Sequence, residues 1–443
     1  MKTRYTAYLV SGILAIAVIA GLLLAVLLAV LAPLEIRNVL VRISVVALVL
    51  FLGVLVFRYV ILLWLGYLQH VESNAFERDG SAEDASFLPG VSVIVPAYNE
   101  GPVIEAAIRS LLRQDYPRFE VLVVDDGSTD DTYKKAAKLE GSYGHATVRV
   151  VSKANAGKAL ALNTGIGLAR HPFVLCMDGD STLAEETLRC MVRHFRDPRV
   201  AAVAGNVKVV NRKNLWTKLQ ALEYIEGLNM PRRAQGFMRA VNIIPGPVGM
   251  FRREVLADLG GYETDTYAED ADLTLKILTA GWRIEYEERA VAYTEAPAGL
   301  LDLISQRYRW TRGVMQAVGK RKRVILNPRT ETTVWLSIGM MVFESLIWPV
   351  MNVFGNLFFV TVALAYGAGG YLVAWWLLLT LLDIAAALHT VAMEEEDLKL
   401  VPLAVIYRFF FILLIDVSKM FAMVEQALGL KMGWGKLQRV GTA

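Results

Sequence analysis

Cysteine is nearly absent from this 443-residue chain, and charge is thin. Cys176 and Cys190 are the only thiols, and Asp, Glu, Lys and Arg together make up 20% of residues against 55% hydrophobic ones. Soluble domains carry about a quarter charged residues, so an ordinary water-soluble protein is excluded. The deficit is uneven. No charge occurs from Thr6 to Leu34 or from Ile43 to Phe57, and Arg58 stands alone before Glu72. Runs of about 20 apolar residues cross a bilayer as helices, so two N-terminal spans are expected. A cleaved signal peptide fits poorly: the first run is too long, and a second follows at once. Repeats and low-complexity tracts are missing outside these runs.

The C-terminal third is apolar again. Thr333–Tyr366 holds only Glu344, Tyr371–Met393 only Asp383, and Val401–Ile415 only Arg408. The first block is too short for two full crossings and reads as an interfacial helix plus one span, or a re-entrant pair. Lys2, Arg4, Lys320, Arg321, Lys322, Arg323 and Arg329 flank the spans and place the middle of the chain in the cytoplasm of a multi-pass protein of the inner or plasma membrane. Both cysteines then sit in a reducing compartment, and Cys176 reads as a small core residue. The tail carries Lys431, Lys436 and Arg439, which prefer the same side, although three spans would export it. The expected layout is membrane helices over 1–70, a linker over 71–88, and an α/β domain over 89–300. Amphipathic interfacial helices over 301–332, about three membrane helices over 333–428 and a basic tail over 429–443 complete it.

Within the domain, "VSVIVP" is a β-branched run and Val103–Leu112 has helical periodicity. "EVLVVDDGS" makes a buried strand over Glu120–Asp125. A polar helix from Asp130, a strand near Val148–Val151, a helix after Gly157 and the strand of "FVLCMDGDS" follow. Strands alternating with helices predict a parallel α/β sheet, whose ligands bind at the carboxyl ends of its strands. Those ends carry Tyr98, Asn99 and Glu100, then Asp125 and Asp126, then Asp178 and Asp180. If the three strands are neighbours, the ends build one site.

Each motif has a chemical and a plain reading. Asp178 and Asp180 in "DGD" face the same way and suit Mg²⁺ or Mn²⁺, which would also take diphosphate oxygens; the alternative is an Asx turn. Asp125 and Asp126 could accept hydrogen bonds from a base edge or a ribose hydroxyl, while Ser128–Asp131 reads as a turn and helix N-cap. Lys158 opens a helix, where ammonium and helix terminus can both meet phosphate, or is simply solvated. Glu269, Asp270 and Asp272 crowd the start of a helix whose Leu273, Ile277 and Ala280 share a face. Three carboxylates exceed what capping needs, so one can serve as a general base on a hydroxyl. In "SQRYRWTRG", Gln306, Arg309 and Trp310 fall at i, i+3 and i+4. Guanidinium grips phosphate and indole covers the apolar face of a sugar. A snorkelling belt suits the later "KRKR" better.

In combination these motifs resemble the processive, membrane-integrated family-2 glycosyltransferases: the poly-N-acetylglucosamine, hyaluronan, chitin and cellulose synthases. The resemblance runs from "VSVIVPAYNE" through "VVDDGSTD", "NAGKALALN", "DGDS", "GPVGMFRRE" and "YAED" to "QRYRW". It implies a cytoplasmic α/β GT-A domain embedded between transmembrane helices that pass the polymer outward. It also implies that Tyr98, Glu100, Asp126, Lys158 and Asp178 hold the UDP-sugar donor together with Gln306, Arg307 and Arg309. Asp180 with Asp178 would bind Mg²⁺ or Mn²⁺. Asp270, beside Glu269, would be the catalytic base, and Trp310, Gly246 and Pro247 would meet the growing polysaccharide. The family's usual threonine before Glu269 is here Ala268, so any orienting hydroxyl is missing. The tail "GWGKLQR" is similar to a segment near the pocket mouth of some members, which favours a cytoplasmic C-terminus. UDP-N-acetylglucosamine is the expected donor. Partners are the bilayer and the polymer, with accessory membrane or export subunits left open and no nucleic acid. Two rivals stand beside this reading: a non-processive transferase that glycosylates a membrane lipid, and a saccharide-binding export subunit without catalysis.

Overall fold

The β-branched run Val91–Ala97 becomes strand β1, every residue of it buried. In this computed structural model, which describes residues 6–17, 19–20, 39–78, 86–366 and 369–430, β1 lies at the heart of a nine-stranded sheet. The other strands are β2 (Phe119–Asp125), β3 (Gly141–Ser142), β4 (Ala146–Ser152), β5 (Phe173–Cys176), β6 (Thr182–Leu183), β7 (Val200–Val209), β8 (Gly249–Arg252) and β9 (Arg283–Thr294). Their order is β3-β4-β2-β1-β5-β8-β7-β9-β6. The run β4-β2-β1-β5 is parallel, as the alternation of strand and helix predicts. Beyond it the sheet is mixed, because β8 runs antiparallel to both β5 and β7. Strand alternation sorts the core into two layers. Val93, Val95, Val121 and Val123 pack on one face, and Ile94, Leu122, Val124 and Cys176 on the other.

β2, β1 and β5 are therefore neighbours. The register sets Ala97 beside Asp125, and Met177 N extends β5 by donating to Ile94 O at 3.0 Å. The three acidic strand ends converge on one edge of the sheet.

Among the described residues, four helices are long and apolar enough to cross a membrane: Gly53–Ser73, Thr332–Ala365, Leu372–Met393 and Leu398–Ala427. Thr332–Ala365 forms one continuous helical run of 34 residues, at the block for which the sequence allows an interfacial helix plus one span or a re-entrant pair. The second apolar run belongs to a helix that starts at Val39 and continues through Arg78, across much of the stretch read as linker. Of the first expected span, Thr6–Ala17 is helical; most of its remainder lies outside the described residues, as do the basic tail and its "GWGKLQR".

Membrane helices and domain share one core. Ala387, Val391, Phe411 and Ile415 pack in the same layer as Val93 and Leu222. Ion pairs and a buried hydrogen bond reinforce that junction. Arg233 meets Glu394 at 2.6 Å, Asn206 Nδ2 donates to Glu394 at 2.7 Å, and Arg212 meets Glu396 at 2.6 Å.

Candidate active site

Lys158 begins the helix Lys158–Leu168, directly after Gly157, whose φ of +94° favours glycine. Its ammonium lies 2.7 Å from Asp178 and 2.8 Å from Glu269. Burial works against this charge, but the two carboxylates outweigh it and hold the lysine above its ordinary pKa. Glu269, although buried, is kept below the ordinary carboxylate range by Lys158. Asp270 behaves oppositely. Burial, reinforced by the Glu269 charge, pushes it up to about 6, while its Oδ1 accepts a bond from Ala271 N at 2.8 Å. Neighbouring carboxylates with diverging proton affinities are a common mark of acid–base chemistry.

Asp180 is almost fully buried and accepts from Ser181 Oγ at 3.1 Å; Asp178 is more open. Together they supply hard oxygen donors on one short turn. Among the described residues no cluster of three or more acidic, His or Cys groups has metal-binding spacing. A divalent cation here fits the type that uses one or two carboxylates and fills its shell with substrate phosphates. Gly246 approaches this centre so closely that an added Cβ would lie 3.1 Å from Asp178 Oδ2 and from Lys158 Nζ.

The "QRYRW" segment lies in the helix Leu300–Lys320. Its register against the Glu269 helix depends on Gly313: a Cβ there would sit 2.3 Å from Ala268 Cβ and 2.5 Å from Ala268 N. Ala268, just before Glu269, is thus in tight backbone contact with this helix. Arg309 donates to Tyr267 O at 3.4 Å. Arg307 is buried and committed elsewhere. It makes a forked pair with Glu223, at 3.0 and 2.5 Å, and donates to Gln306 Oε1 at 2.5 Å. Its guanidinium carbon lies 4.2 Å from the centre of the Trp310 ring. Arg307 therefore fixes the indole plane from behind.

A single cavity of about 360 Å³ gathers most of these groups: Lys158, Asp178, Asp180, Gly246, Pro247, Glu269, Asp270, Gln306, Arg307, Arg309 and Trp310. It continues past Trp310 to Arg58, Tyr59, Trp348, Arg408 and Asp416 of the membrane helices. Tyr98, Glu100 and Asp126 are not in its wall. Tyr98 is exposed at the end of β1, and Glu100 O accepts from Val103 N and Ile104 N to start a helix. The Asp126 carboxylate is occupied: it accepts from Lys153 Nζ at 2.5 Å, Gly157 N at 2.7 Å and Ala156 N at 3.1 Å. It shapes the loop that delivers Lys158. Sequence reasoning missed Glu223 and Glu226, which sit 80 or more residues from "QRYRW" on the helix Leu215–Glu223 and the π-turn Tyr224–Asn229. No spacing signal marks them.

A mixed sheet with acidic strand ends, a buried lysine between carboxylates and a tryptophan plate defines a nucleotide-sugar transferase of the GT-A type. Residues 89–313 match the family model "Glycosyltransferase like family 2", and the chain belongs to that family. It is 32% identical over 227 residues to the poly-β-1,6-N-acetyl-D-glucosamine synthase of Staphylococcus aureus, covering 51% of this chain and 55% of that protein. The synthase of Staphylococcus epidermidis is 31% identical over 225 residues, covering 51% and 54%. The chain thus spans about half the length of the curated relatives it matches. Among solved structures, a mannosyltransferase from Pyrobaculum calidifontis in complex with GDP-Man and Mn²⁺ superposes with a TM-score of 0.57 at 25% identity, over 84% of this chain and 99% of that one.

Proposed function

We propose that this glycosyltransferase is a processive, inverting polysaccharide synthase. It polymerises UDP-N-acetylglucosamine on the cytoplasmic side and passes the β-linked chain through its own membrane helices. One observation carries the reading: the cavity that holds Asp178, Lys158 and Asp270 runs on past Trp310 to charged residues of the membrane helices. The sugar assignment follows the staphylococcal relatives, whose names specify poly-β-1,6-N-acetyl-D-glucosamine synthases.

Each residue then has a task. Lys158 meets the diphosphate from a helix N-terminus, where ammonium and backbone N–H groups point the same way. Arg309 balances charge that develops on the leaving UDP. Asp270, ionised above a pKa of about 6, takes the proton of the acceptor hydroxyl, and the freed oxygen attacks the anomeric carbon from the face opposite UDP. Trp310 floors the acceptor sugar and is held flat by Arg307. Asp178 and Asp180 would hold Mg²⁺ or Mn²⁺, which supplies further neutralisation of the diphosphate when bound.

A lipid acceptor is disfavoured by what lines the far end of the cavity. Arg58, Glu226, Glu344, Arg408 and Asp416 would be costly beside an alkyl chain and suit a hydroxyl-rich one. The purified protein, given radiolabelled UDP-N-acetylglucosamine and other UDP-sugars in parallel, should make long polymer from the first. One sugar on an organic-soluble lipid would refute the proposal.

A further inference from the structure

The cavity beyond Trp310 is built by an unusual backbone device. Three π-helical turns are described along it: Tyr224–Asn229, Phe343–Ile347 and Tyr407–Ile412. Each contributes one charged residue to the cavity wall, respectively Glu226, Glu344 and Arg408. A π-turn widens the helix by one residue and re-aims a side chain, and such turns concentrate at functional sites. Two of the three charges are satisfied. Glu344 makes a forked pair with Arg58, both contacts at 2.7 Å. Arg408 pairs with Asp383 and donates to Tyr59 Oη at 3.1 Å.

Glu226 differs. Both of its carboxylate oxygens are buried without a hydrogen-bond partner. A buried carboxyl with no hydrogen-bond partner costs stability. It lies one helical turn beyond Glu223, the residue that anchors Arg307 behind Trp310. On its other side it feels the charges of Asp383 and Arg408 on the membrane helices. Burial, with the Asp383 charge adding to it, pushes the Glu226 carboxyl well above the ordinary range. In its protonated form the carboxyl can donate one hydrogen bond and accept others.

We infer that Glu226 is a binding residue for the nascent polysaccharide just beyond the acceptor site, engaging sugar hydroxyl or amide groups as the chain passes from Trp310 towards the membrane helices. This rests on the synthase reading above. The site retains the chain between additions, so it governs how many sugars are added before release rather than how donor is bound.

The test compares Glu226→Leu and Glu226→Gln with the unaltered protein in lipid vesicles, with radiolabelled UDP-N-acetylglucosamine and product sizing. UDP affinity is measured on each by calorimetry. Removing a partnerless carboxyl should raise thermal stability in Glu226→Leu. Its products should be about five-fold shorter, the factor carried by one net hydrogen bond, with the UDP dissociation constant unchanged. Glu226→Gln, which keeps a donor and an acceptor, should restore most of the length. Full-length product from Glu226→Leu overturns the inference. So does loss of UDP binding in that variant, which would mark a structural role. If the unaltered protein itself adds a single sugar, the synthase reading fails first, and this inference with it.

Discussion

Asp270→Asn separates chemistry from stability, and the raised carboxyl pKa sets the stability magnitude. The Asp270 carboxyl has its pKa raised from 3.8 to about 6, by burial first and by the Glu269 charge second. A raised carboxyl pKa favours the protonated form in the folded protein. The stabilising contribution is therefore complete below pH 3.8, and it is lost as pH rises through 6. At pH 7.5 the folded protein holds an ionised Asp270 at a cost of at most about 3 kcal/mol. Asparagine is neutral, and its Oδ1 can keep the bond from Ala271 N. The variant should therefore be more stable than the parent at pH 7.5 by up to about 3 kcal/mol, and by roughly half as much at pH 5. Sugar transfer should fall by at least about 10²-fold, because the group that takes the acceptor proton is gone. Thermal unfolding of the detergent-solubilised protein at the two pH values, together with UDP release in the presence of acceptor, measures all three. A variant that is less stable at pH 7.5, or one that transfers sugar at near-parental rate, would refute the assignment. In the parent, kcat/KM should drop about tenfold per pH unit below 6.

Three further outcomes are expected. Arg307→Ala leaves Glu223 buried and unpaired and should cost about 3–5 kcal/mol, with acceptor use lost; Arg307→Lys should not rescue it, since an ammonium cannot reproduce the fork, and wild-type acceptor kinetics in the lysine variant would count against the role. Asp180→Ala should abolish the Mn²⁺-dependent part of UDP binding in calorimetry, while metal-independent binding through Lys158 persists; an unchanged Mn²⁺ response removes Asp180 from the metal site. Gly313→Ala would press a methyl into Ala268, including its backbone, so the "QRYRW" helix must shift and both transfer and stability should fall; normal activity would show that the helix does not need this register.

The sequence carries the sheet and its acidic ends because both obey short-range rules. Strand β1 is rich in β-branched residues, and Asp125, Asp178 and Asp180 end or closely follow buried apolar runs. The helical spacing of Gln306, Arg309 and Trp310 was equally legible. What escaped depends on packing across the chain. Asp126 looks like a free carboxylate in "VVDDGS", yet three donors of the 153–157 loop occupy it. Arg307 sits in a run of basic residues that suggests anion binding, and its fork to Glu223, 84 positions away, leaves no trace in that run. Arg408, the lone charge of an apolar segment, both lines the cavity and pairs with Asp383, and the distant partner could not be read from that segment. The π-turns were invisible to periodicity, since one extra residue in an apolar helix leaves no pattern behind.

The central claim is a continuous route from the nucleotide to the membrane. Its most direct measurement is an experimental structure of the protein in lipid, bound to UDP, Mn²⁺ and a β-linked N-acetylglucosamine oligomer. The account predicts UDP beside Lys158, Asp178 and Asp180, the terminal sugar on Trp310, and the chain running past Glu226 between the Arg58–Glu344 and Arg408–Asp383 pairs. A chain leaving over the open face of the domain, with lipid in the cavity beyond Trp310, would contradict it.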